Sequence, residues 1–237
     1  MKKRTLLSFL FVVVMFSVGS ITGQVDVKER DGDFLVFTQV KSVTTKVMDK
    51  ERYKGNIYLY DNWRFATFHH SEHSAVSVDS VKLNIFRGEV EVFQNDQYLT
   101  LDNREFDSFD FGYDDGDFKA LYKTKHYYFD NDVRLPGIIK VIELGEHSVI
   151  VAYVSSVRND SEKNPLMMES LKKDKIVMHK HRYIEKDGVL FRIKNKKDFK
   201  KFFSDRPDIQ KFISSQKLNH KHEGDIAKAV VEAYGAG

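Results

Sequence analysis

Between Val76 and Phe111 apolar side chains recur at every second position, and this alternation constrains the fold more than any other stretch of the chain. Val76 and Val78 begin it, Val81, Leu83 and Ile85 continue it, and Val90, Val92, Leu99 and Leu101 complete it. A period of two places these side chains on one face of a pleated strand and leaves Lys82, Asn84, Glu89 and Glu91 to water. Arg87-Gly88 and Asn95-Asp96 fall where hairpins need turns, because Gly, Asn and Asp tolerate the backbone angles of tight turns. The stretch predicts an antiparallel meander with one face on a core and one face wet. It contains no reactive constellation.

The beginning of the chain follows a different pattern. Lys2, Lys3 and Arg4 precede an apolar run, Leu6 to Phe16, that is too short to span a bilayer and is followed by small residues. This predicts a signal peptide over 1–23, cleaved near Ser20–Gln24, and export to the periplasm or the outside with no transmembrane span afterwards. Cysteine is absent, which excludes both a lipid anchor on a mature N-terminal cysteine and disulfide stapling. Stability must then come from apolar burial, for which roughly 210 residues suffice. The chain has 38 basic and 35 acidic residues, and loss of the three leader cations would make it formally neutral. Generic nucleic-acid binding gains no support from that balance.

Taken in order, 24–50 alternates weakly and predicts one or two strands. Tyr53 to Phe68 is dense in aromatics and holds Trp63, the only tryptophan. Such side chains suit sheet packing, and a few can instead form an aromatic ligand platform. Ile138 to Leu144 and Ser148 to Val157 predict two strands around Gly145-Glu146-His147. Ile176 to Ile184 and Val189 to Ile193 predict a hairpin around Lys186-Asp187-Gly188. After Asn195, a suitable N-cap, Phe199, Phe202 and Phe203 fall at helical spacing. A second helix is expected from Pro207, with Ile209, Phe212 and Ile213 on one face, and a third over about Gly224 to Tyr234. The fold class is α+β, mainly β: an antiparallel meander sheet or partial barrel over 24–194, with a three-helix tail over 195–237 packed on it.

This ensemble resembles a group of exported Bacteroidota-type proteins of unknown function. The shared pattern is a G-x-x-Y-L segment near a tryptophan (Gly55, Tyr58, Leu59, Trp63), a V-x-L-N-I strand (Val81 to Ile85) and E-V-x-V (Glu89 to Val92). Leu101-Asp102, Phe106 with Ser108-Phe109, and tail segments at Lys196-Lys197-Asp198 and Asp208 to Ile213 complete it. The resemblance implies compartment and architecture, and it carries no catalytic residues.

Histidine is the first residue type to weigh for chemistry. His69, His70 and His73 lie within five residues alongside Glu72, and His179 and His181 form an H-x-H pair that a strand would point to one face. Those five are the candidate metal ligands, for zinc, although no H-E-x-x-H occurs. In the acidic stretch Asp110 to Asp117, Asp114, Asp115 and Asp117 could hold calcium irregularly, but a solvated acidic turn suits the stretch better, since the ordinary calcium-loop pattern fails there. Lys172 to Lys201 is strongly basic, and Lys196, Lys197, Lys200 and Lys201 are its candidate partner-binding face, for an acidic partner or lipid headgroups. No cysteine nucleophile and no G-x-S-x-G elbow occurs. The expected function is a non-enzymatic binding module for an envelope protein or an apolar, lipid-like ligand, without a cofactor. The alternative is a metal-dependent hydrolase built on the histidines.

Overall fold

The computed structural model describes residues 53–94, 97–101, 103, 106–112, 118–158 and 174–235. The leader, the weakly alternating 24–50 stretch, Asn95-Asp96 and the triad Asp114, Asp115 and Asp117 lie outside these residues. The alternating stretch forms most of β3 (His73–Asn84), then β4 (Glu89–Gln94) and β5 (Gln97–Thr100); β2 (Arg64–His70) precedes them, and each of the four is antiparallel to the next. The phase of the apolar pattern slips between Val78 and Val81, and the register shows why. Ala66 pairs with Val78 but Arg64 with Val81, so β3 fits an extra residue into a bulge.

Short strands β6 (Ser108–Asp110) and β7 (Leu121–Lys123) link this meander to a second one. That consists of β10 (Ile139–Leu144), β11 (His147–Arg158), β12 (Asp174–Lys186) and β13 (Val189–Arg192). Together with β1 (Tyr53–Lys54) they form one sheet of eleven strands in the order β1-β12-β11-β10-β7-β6-β2-β3-β4-β5, with β13 beside β12. The sheet does not close, and it is mixed, because β1 runs parallel to β12. Gly55 permits that approach: a Cβ there would stand 2.6 Å from the Ile176 carbonyl oxygen. The β12–β13 turn places Asp187 and Gly188 at φ of 53° and 75°, the pair of positive angles that a two-residue hairpin favours. A separate hairpin, β8 (Phe129–Asp130) with β9 (Val133–Arg134), was not foreseen.

Apolar burial divides into three clusters. Val81, Leu83, Val90, Val92, Phe68, Phe109 and Tyr122 meet Val151 and Tyr153 of β11, so side chains from both meanders share one core. Farther along the same strand Val149 joins Ile142, Leu144 and Ile184 beneath the helical tail. The opposite face buries Ile139, Val141, Ile150 and Tyr183 with Leu135.

The tail consists of α1 (Lys196–Phe202), α2 (Pro207–Ser215) and α3 (Glu223–Tyr234). Asn195 caps α1, its Oδ1 accepting from the backbone N–H of Lys197 and Asp198 at 2.8 and 3.0 Å. Phe199, Phe203, Ile209, Ile213, Ile226 and Val230 pack on the sheet. The Arg182 guanidinium of β12 binds the Glu223 carboxylate at 3.1 Å where α3 begins.

Two expectations about polar residues are corrected. Asn84 and Glu91 were assigned to the wet face, yet both are buried. Residues 57–59 run beside the end of β3, with Leu59 N–H donating to the Leu83 carbonyl, and bring Tyr58 over that face. Glu91 then accepts from the Asn84 side-chain amide at 3.0 Å and from the Tyr58 hydroxyl at 3.1 Å. Asp110, expected in a solvated acidic turn, is also buried. It pairs with His69 at 2.7 Å and with Lys119 at 3.3 Å.

Candidate functional site

The sequence-predicted ligands fall on different parts of the sheet. His69 and His70 lie on β2 and His73 opens β3, paired with His70 in register. His179 and His181 lie on β12, opposite Val154 and Ala152 of β11, several strands away from β2 in the sheet order. Among the described residues no three His, Asp or Glu side chains are gathered so as to hold a metal ion. His69 joins Asp110 across the β2–β6 seam instead. Burial raises the Asp110 carboxyl, but hydrogen bonds from His69, the Gly112 N–H and Lys119 outweigh it and hold the group below the ordinary carboxylate range. His179 Nε2 sits 3.3 Å from the Ser156 hydroxyl. Partial burial, then Arg192 and His179, push His181 below the usual imidazole range.

The aromatic stretch divides between the two faces. Phe68 and Tyr60 belong to the core, whereas Trp63 packs on Phe93 and Tyr98 on the opposite face, with Lys82 Nζ 5.3 Å above its ring.

The basic residues lead to a better-defined place. Lys196, Lys197 and Lys201 are exposed on α1, and Lys200 donates to the Ser214 hydroxyl of α2 at 3.1 Å. Lys201 lines a cleft of ≈ 440 Å³ between the β12–β13 hairpin and the tail. Its apolar surface comes from Phe191 of β13, Phe202 of α1 and Tyr234 of α3. Phe191 is 44% exposed and meets Phe202 edge to face at 5.1 Å. Lys186 holds its ammonium 4.7 Å over the Tyr234 ring, which stacks on His147 at 4.3 Å. Lys186, Arg192 and Lys201 bring three cations to the lining, against Asp198 and Asp205.

This arrangement joins an accessible aromatic surface to an excess of positive charge. It can hold an apolar group by contact and an acidic group by charge-assisted hydrogen bonds. Lys201 was legible as part of a basic face. Phe191 and Phe202 were read only as strand and helix positions, because no local spacing joins a residue of β13 to one of α1. Compared with known proteins, the chain matches no family model, no curated protein and no solved structure.

Proposed function

We propose that this chain is an exported, non-enzymatic binding module whose cleft beside the helical tail takes an apolar ligand with an acidic head group. The observation that carries this reading is the cleft itself: Phe191 and Phe202 offer apolar surface beside Lys186 and Lys201. Its ≈ 440 Å³ is the size of small-ligand sites. A lipid-like acid matches both that volume and the mixture of aromatic and cationic side chains in the lining. Export rests on the Lys2-Lys3-Arg4 leader and its apolar run. The resemblance to exported Bacteroidota-type proteins points the same way. Among the described residues no helix is long and apolar enough to cross a membrane.

The test is displacement of a fluorescent fatty-acid analogue from the chain beginning at Gln24, with oleate and oleyl alcohol as competitors. Oleate should compete saturably and outcompete the alcohol. Phe191→Ala and Lys201→Glu should each weaken it by about tenfold, near 1.4 kcal/mol. Failure to take up the probe, or uptake unchanged in both variants, would remove the cleft as a lipid site.

A further inference from the structure

A second pocket, of ≈ 400 Å³, shares no residue with the cleft. Four separate parts of the chain build it: the β3–β4 turn with Arg87, the segment after β5 with Asn103, the segment after β7 with Thr124 and His126, and the end of β9 with Arg134, which runs on into Leu135 to Gly137. Three buried polar atoms without a hydrogen-bond partner belong to residues of this one lining: Asn103 Oδ1, Thr124 Oγ1 and His126 Nδ1. His126 is only 4% exposed. A buried polar atom left without a partner costs free energy, so native structures keep few of them. Three around one pocket mark a place where a bound molecule would supply what the protein withholds.

The chemistry of the lining defines that molecule. His126 Nε2 lies 3.3 Å from the Gly137 carbonyl oxygen and donates to it, which leaves Nδ1 as a lone-pair acceptor. Burial, with Arg134 adding to it against the Gly137 bond, pushes this imidazole below its ordinary range and keeps the ring neutral. Asn103 Oδ1 is a second acceptor, and the Thr124 hydroxyl can donate or accept. Arg87 and Arg134 add guanidinium groups, which donate only and favour an anion. Sulfate accepts from the arginines but has no proton to offer Nδ1 or Oδ1. A neutral sugar offers hydroxyl donors but no charge. A ligand satisfying both halves carries hydroxyls and a carboxylate on one small frame.

We infer that the pocket formed by Arg87, Asn103, Thr124, His126 and Arg134 binds a sugar acid, either free or at the end of an acidic glycan. The test is calorimetric titration of the chain from Gln24 onward with D-glucuronate, with D-glucose and inorganic sulfate as comparisons. Glucuronate should bind one to one, at least tenfold tighter than either comparison compound. It should also move the His126 Nδ1 resonance in ¹⁵N spectra. Arg134 is exposed, so Arg134→Gln should fold normally and weaken glucuronate at least tenfold, and Thr124→Val should weaken it as well. Tighter binding of a galacturonate oligomer would identify the glycan end as the source, and equal binding the free acid. No heat with glucuronate, equal affinity for sulfate, or an unchanged Arg134→Gln variant with bound water alone at His126 would overturn the assignment.

Discussion

Tyr183 shows how burial sets the behaviour of a single titratable group. Its ring is closed into the core face shared with Ile139, Val141 and Ile150, and its hydroxyl donates to Asp130 Oδ2 at 3.1 Å. Burial pushes the phenol up to about 12; the Asp130 charge reinforces the shift and Arg192 opposes it. The folded state therefore holds this proton more tightly than the unfolded chain, where a tyrosine titrates near 10. Below about pH 10 both states are protonated and the stabilisation is whole; from there to about pH 12 the unfolded state alone ionises and stability is lost. Urea unfolding across that window should show a fall of roughly 2 kcal/mol beyond that of Tyr183→Phe, which has no proton to lose. An identical alkaline slope in the variant would show that Tyr183 does not contribute. Glu91 carries the opposite lesson, because alternation placed it correctly on the face away from Val90 and Val92. What alternation could not show was that Tyr58, thirty-three positions earlier, comes down over that face and donates its hydroxyl to the carboxylate.

At the scale of elements, an ion pair ties α3 to the sheet in addition to its apolar packing. Arg182 and Glu223 keep only 16% and 11% of their side-chain surface exposed, and the carboxylate also sits in the first turn of α3, where the helix dipole favours it. Glu223→Ala would leave the Arg182 charge partly buried without this partner. The expected cost is roughly 3 kcal/mol, at the low end for buried pairs because some solvent remains. Thermal unfolding would read the cost, and amide exchange should accelerate first in α3. A variant that unfolds like the parent would mean that apolar packing alone docks the helix. The helices themselves were legible in the sequence because their signals are local: Asn195 as a cap, Pro207 in a first turn, and apolar residues at helical spacing. The β3–β4 and β12–β13 hairpins were legible for the same reason, from Arg87-Gly88 and Asp187-Gly188. Strand order was not, since the pairing of Tyr53 with Asp174 and of Phe109 with Tyr122 leaves no mark on neighbouring residues. The candidate sites share that difficulty. Arg87, Asn103, Thr124, His126 and Arg134 are joined by the fold rather than by any spacing, and only the basic character of Lys201 signalled the cleft.

For the whole molecule, the question is whether the tail is a separate unit or the lid of a common core. Its helices have seven, nine and twelve residues, lengths at which isolated helices are marginal in water even when their sequence is favourable. The surface they cover includes Ile142, Leu144, Val149, Ile184 and Ile193, which are all buried and all belong to the second meander or its end. Neither part can therefore bury its apolar face without the other. A chain ending at Lys194 would expose five aliphatic side chains at once, each worth about 1.5–3 kcal/mol when buried. A whole domain is commonly stable by only about 5–15 kcal/mol, so this loss is comparable to the entire margin. The intact chain should accordingly melt in one calorimetric transition, with loss of α3 helicity and of tertiary signal at the same temperature. The truncated chain should bind a hydrophobic dye and lose cooperative melting, and a peptide covering 195–237 should be largely unstructured. Two resolved transitions in the intact chain, or a truncated chain that melts cooperatively, would instead make the tail a unit of its own. The cleft lined by Phe191, Phe202 and Tyr234 would then lie at a joint between units rather than within a shared core.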